Sequence, residues 1–119
     1  MRRISFMLTK EQIRARTKTV TRRLGWEFAK AGMLLLPVEK CMGLKAGESM
    51  VPLCGPIQLV STRFEPLQRL IDEPEYGTEE SRLEGFPGWT GEQFVEFYCK
   101  QPGAYPQRSV NRLEFEYTD

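Results

Sequence analysis

Apolar positions along the chain come mostly in short runs with a period of two, broken by turn residues. Ile4–Leu8 is a compact apolar run and predicts a first strand. Thr9-Lys-Glu-Gln12 matches a capping box, with Leu8 and Ile13 spaced for a hydrophobic staple, and predicts a short helix. No apolar stripe prolongs that helix through Arg14–Lys18. Arg16–Arg23 alternates in type: Thr17, Thr19 and Thr21 share one parity, and Arg16, Lys18, Val20 and Arg22 share the other. A regular strand there would aim hydroxyls one way and cations the opposite way. Residues 24–32 read as a connector. Met33–Lys40 reads as a strand in which Pro37 marks an edge or a bulge, and residues 41–50 read as a loop.

Gly55–Pro66 has the pattern of a buried strand, and Leu67, Leu70 and Ile71 have the spacing of one or two helical turns. Asp72–Arg82 is acidic and turn-rich, and its carboxylates read as a solvated face. Thr90-Gly-Glu-Gln93 is a second capping box, followed at helical spacing by Phe94, Val95, Phe97 and Tyr98. It predicts a helix over Glu92–Lys100 with Phe94, Phe97 and Tyr98 on its core face. Gln101–Arg108 reads as a loop, and Val110–Tyr117 alternates as a last strand. These elements predict an α+β fold, a small mixed sheet or β-barrel of about five to six strands with two to four short helices. Barrel closure would hide the edges of such short strands.

At 119 residues, 40% hydrophobic and 28% charged, the chain has the size and composition of one globular domain. No apolar run approaches the ~20 residues that span a bilayer, and the N-terminal apolar stretch is too short for a signal peptide. A soluble, cytoplasmic protein is the expectation. Cys41, Cys54 and Cys99 form no C-x-x-C pair, which argues against a disulfide framework or a structural zinc site. The absence of histidine excludes Ser-His-Asp and Cys-His catalysis. No metal and no cofactor is expected, and any proton transfer falls to Lys, Glu, Asp, Tyr or Cys. The net charge of +1 hides an asymmetry: nine basic residues against two acidic ones in residues 1–31, and five against twelve in residues 65–119. The basic third either steers a phosphate-bearing partner or faces the acidic part within the fold.

The densest chemical cluster is Lys18-Thr-Val-Thr21-Arg22-Arg23. A hydroxyl becomes a nucleophile when a nearby base takes its proton, and a lysine serves once burial and neighbouring cations lower its pKa. Lys18 and Thr21 lie three apart, so they converge only where the backbone departs from a regular strand. Among the aromatics, Trp26, Phe64, Tyr76, Phe86 and Trp89 fall in predicted loops or at strand ends, where a base could stack. Residues 43–47 have two glycines but lack phosphate-loop spacing.

The Lys18–Arg23 motif follows a short strand and helix. It precedes Lys30-Ala-Gly-Met-Leu34 leading into a strand, Glu84-Gly-Phe86 before an aromatic helix, and a final Leu-Glu-Phe-Glu-Tyr strand. In this order of features the chain resembles the ASCH domain family of the PUA-like β-barrel superfamily. Gly32 is followed here by Met33, where that family often has Gly-Asp. The resemblance implies a cleft that meets RNA or a modified nucleoside. One branch comprises small amidohydrolases acting on N4-acetylcytidine through a lysine, a threonine and a glutamate. By motif these carry over to Lys18, Thr21 and Glu84, with Arg22, Arg23, Trp26 and Trp89 as candidate substrate-binding residues. The alternatives within the resemblance are a non-catalytic RNA or modified-base binding module and a metal-independent single-stranded RNA nuclease.

Overall fold

The computed structural model describes residues 1–40 and 44–119. Cys41 and Gly43, the start of the predicted loop and of the Gly43–Gly47 stretch, lie outside the described residues. Five strands form one mixed sheet in the order β1-β3-β4-β5-β2: β1 (Arg2–Ser5), β2 (Val20–Arg23), β3 (Leu34–Val38), β4 (Ile57–Pro66) and β5 (Ser109–Tyr117). β1 runs parallel to β3, and the other pairings are antiparallel. Among the described residues four helices complete the fold: α1 (Lys10–Arg14), α2 (Arg69–Asp72), α3 (Pro74–Leu83) and α4 (Gly91–Tyr98). Among the described residues, no helix is long and apolar enough to cross a membrane.

The α+β class holds, but the sheet stays open, with β1 and β2 as its two edges. No ladder joins them. Instead the Arg23 guanidinium reaches across and donates through Nη2 to the Ser5 carbonyl at 2.7 Å. The first strand is shorter than its apolar run: after Phe6, whose N–H still bonds Val38 O at 3.0 Å, the chain leaves the sheet. Pro37 is tolerated because the β3–β4 register ends at Leu35. Beyond that point β3 keeps its pairing with β1, and its other edge meets a short segment, where Leu53 N donates to Pro37 O.

Strand and helix side chains together bury two apolar clusters. Ile4, Phe6, Ile13, Leu35, Ile57, Leu59, Leu113 and Phe115 fill one. Leu67, Leu70, Phe94, Val95, Tyr98 and Val110 fill the other, under α2 and α4. The Thr90 capping box forms as predicted, with Gln93 N donating to Thr90 Oγ1 and Thr90 N to Gln93 Oε1. The Thr9 box does not form: Thr9 caps α1 by position only, and Leu8 is exposed rather than stapled.

Asp72–Arg82, read as a turn-rich solvated face, is largely the helix α3. Its buried positions are Gly77, Glu80 and Ser81, so the helical period is present but carried by small and acidic residues. Gly77 and Gly91 let α3 and α4 cross closely over α2. A Cβ on Gly77 would lie 2.9 Å from Gly91 Cα and collide with the Leu70 carbonyl oxygen. This close crossing fixes α3, and α3 delivers two carboxylates to the site described next.

Candidate functional site

The strand β2 begins only at Val20, so Lys18 precedes the regular alternation. Thr19 N–H donates to Leu83 O at 2.9 Å, which ties this segment to the end of α3. Gly85 then turns the chain with φ +101, a left-handed conformation that favours glycine. Its Cα faces the Gln12 side chain so closely that a Cβ would lie 2.7 Å from Gln12 Cγ. The result is that Lys18 and Glu84 meet. Lys18 Nζ donates to Glu84 Oε1 at 2.6 Å and to Glu84 O at 2.8 Å, with both side chains 3% exposed. Tyr117 Oη donates to the Lys18 carbonyl at 2.6 Å and holds its backbone from β5.

Burial pushes the Lys18 amine below the ordinary lysine value of 10.5. Glu84 opposes that shift without cancelling it, and the Arg23 and Arg22 charges add to it. The site therefore holds a lysine that gives up its proton more readily than one in water.

Arg22, a candidate substrate-binding residue, is committed elsewhere. Its side chain is fully buried; Nη1 donates to Glu84 Oε2 at 3.0 Å, and Nη2 to Glu65 Oε2 at 3.0 Å and to Glu80 Oε1. Burial works against its charge, but these carboxylates outweigh it and raise its pKa. Arg112 grips both oxygens of Glu80 from β5. Burial likewise opposes ionisation of Glu65, but hydrogen bonds from Arg63, Arg22 and Tyr76 overcome it and hold the carboxyl down at about 2. The basic first third and the acidic second half thus meet inside the fold in the Lys18–Glu84 and Arg22–Glu80 pairs, and at its surface in the Arg16–Asp119 pair.

A cleft of about 370 Å³ opens above this pair, between the two apolar clusters. That volume lies within the range of about 300–1,000 Å³ typical of small-molecule sites. Lys18, Thr21, Arg22, Arg23, Trp26 and Glu84 all contribute to its lining, with Phe6, Phe86, Phe94 and Tyr98 as apolar walls. Thr21 Oγ1 accepts from Arg23 Nε at 3.1 Å, and the Arg23 guanidinium lies 4.8 Å from the Phe6 ring. Trp26 sits in the left-handed region with φ +61. Its carbonyl is held by Ala29 N at 3.0 Å and by Asn111 Nδ2 at 2.9 Å. Such a backbone costs about 1–3 kcal/mol and persists where its surroundings enforce it.

Trp89 does not join the lining. It stacks on Phe86 at 4.3 Å and 17°, so it supports a cleft wall from behind. Phe64 is exposed, and the Tyr76 hydroxyl bonds Glu65 and Arg63. Sequence reasoning missed Glu65, Glu80 and Arg112. Their signal was the helical spacing of Glu80 and Glu84 and the parity that Arg63 and Glu65 share on β4.

No protein-family model matches the chain, and no curated protein matches it. Among solved structures, it is similar to the crystal structure of protein EF3133 from Enterococcus faecalis V583, described under the family model DUF984. The two share 17% identity at a TM-score of 0.59, over 94% of this chain and 68% of that one. At that identity the likeness establishes a shared small α+β fold, while the chemistry rests on the site itself.

Proposed function

We propose that this chain is an ASCH-type domain whose cleft takes a nucleoside and hydrolyses the amide of an N4-acylated cytosine. One observation carries the reading: a buried lysine, paired with Glu84, lines the same 370 Å³ cleft as the Thr21 hydroxyl. Trp26 and Phe86 offer apolar faces to the base, and Arg23 places a positive charge beside Thr21.

Neutral Lys18 takes the Thr21 hydroxyl proton while Oγ1 bonds to the acyl carbon, and the carbonyl electron pair moves onto oxygen beside Arg23. Collapse breaks the bond from carbon to N4, and the cytosine amine departs with the proton from Lys18. Water then attacks the threonine ester and gives a proton to Lys18. The carboxylic acid leaves, Lys18 returns that proton to Oγ1, and the acid gives its own proton to solvent. Glu84 holds the lysine throughout, because Arg22 occupies its second oxygen.

A recognition module without chemistry is the second reading. It is favoured by Lys18 donating to Glu84 twice while Arg23, rather than Lys18, bonds Thr21 Oγ1. Incubating the pure protein with N4-acetylcytidine and with a single-stranded RNA, followed by mass spectrometry, separates the cases. Hydrolysis yields cytidine and acetate with the RNA intact. Binding that weakens with salt and gives no product supports recognition alone. A shortened RNA overturns both.

A further inference from the structure

Behind the cleft, the side chain of Arg22 is fully buried and contacts three carboxylates from three parts of the fold. Only one of them, Glu84, reaches the cleft lining; Glu65 comes from β4 and Glu80 from α3. The guanidinium is a rigid fork, so the positions of its two ends are not independent. Nη2 serves Glu65 and Glu80, which aims Nη1 at Glu84 Oε2. That leaves Oε1 of Glu84 for Lys18. Glu80 is in turn fixed by the Arg112 guanidinium through both of its oxygens.

We propose that Glu80 is a positioning residue for this cleft: acting through Arg22, it sets the geometry and charge balance of the Lys18–Glu84 pair without touching the bound molecule. Its role in turnover rests on the hydrolase reading above, but its hold on Lys18 does not.

The charge count makes the proposal directional. Lys18, Arg22 and Arg112 face Glu84, Glu80 and Glu65 in this buried cluster. Arg23 on β2 also bears on the lysine, and the Tyr98 hydroxyl of α4 bonds the Arg22 carbonyl. Arg63, Arg69 and Tyr76 contact only the outer end, at Glu65. Replacing Glu80 with glutamine keeps an acceptor for Arg22 but removes one negative charge. The cluster then disfavours a protonated Lys18 more strongly. Replacing Arg22 with methionine removes a positive charge and acts in the opposite direction.

The direct test is a pH titration of the six lysines by nitrogen NMR of their side-chain amines in the intact protein. E80Q is expected to move the Lys18 transition to lower pH, and R22M to higher pH. Should R22M fail to fold, Arg112→Gln replaces it, because it leaves Glu80 less neutralised and acts in the same upward direction. Hydrolysis of N4-acetylcytidine follows in parallel, with E80Q about threefold faster at the acid foot of the profile. A Lys18 transition unmoved in E80Q, or moved the same way in both variants, overturns the proposal. Opposite shifts with no hydrolysis by any form sustain it and remove the hydrolase reading instead.

Discussion

Glu84→Gln isolates what the carboxylate does for its buried neighbours, because the shape of the side chain is kept. In the wild-type protein Glu84 accepts from Lys18 at 2.6 Å and from Arg22 at 3.0 Å, and it opposes the loss of the Lys18 proton. Arg22 keeps Glu80 and Glu65 in the variant, so the residue left exposed to the loss is Lys18. Breaking one side of a buried ion pair costs about 3–5 kcal/mol when the stranded charge must stay. Lys18 has an escape: it can shed its proton, and the cost then falls to that of lost hydrogen bonds, about 1–3 kcal/mol. The sign follows from linkage. A lysine depressed in the folded state binds protons more weakly there than in the unfolded chain. Stability therefore rises with pH from the folded value up to the ordinary value of 10.5, and the penalty is full below that window. Urea unfolding of wild type and E84Q at about pH 6 and about pH 9 measures this, and the destabilisation is expected to be larger at the lower pH. An equal loss at both values would show that the Lys18 charge is not what Glu84 compensates.

Three further outcomes follow from the same geometry. Gly77→Ala forces a Cβ into the Leu70 carbonyl and against Gly91, so thermal melts should show a loss of about 2–3 kcal/mol despite alanine's helix propensity, whereas Thr78→Ala on the exposed side of α3 should be neutral. Glu65, held at about 2, stabilises the fold fully above the ordinary carboxyl value of 4.5 and progressively less as pH falls toward 2. In Glu65→Gln, acid denaturation curves should be flatter across that interval. Thr90→Ala removes a formed capping box and should cost about 1 kcal/mol, measured by urea unfolding, while Thr9→Ala, whose side chain makes no cap bond, should cost less.

Where local signals were self-sufficient, the sequence was readable. The last strand alternates apolar and polar residues, and α4 pairs a cap with an aromatic stripe; both occur as read. Helix α3 was missed because its buried face is not apolar. Gly77 is buried by close approach, and Glu80 by ion pairs with residues from β2 and β5. Neither cause is visible within a ten-residue window. The same limit explains the Thr9 box, whose pattern is right but whose groups are drawn into other contacts: Thr9 N donates to Phe6 O, and the Gln12 side chain packs against Gly85. The cluster Lys18–Arg23 was legible as chemistry, but its division of labour was not. Arg22 and Arg23 are adjacent and identical in type, yet one turns into the carboxylates behind the cleft and the other toward Thr21. Strand alternation puts Arg23 on the face of Thr21 and Arg22 on the opposite one. What the strand itself does not show is that α3 brings carboxylates to the Arg22 face.

Hydrolysis in this cleft depends most directly on the Thr21 hydroxyl. Wild type and Thr21→Ala, matched by circular dichroism and melting temperature, are each incubated with N4-acetylcytidine while cytidine and acetate are followed by mass spectrometry. Product is expected from the wild type and none above the uncatalysed rate from the variant. Equal turnover by the two would contradict that dependence.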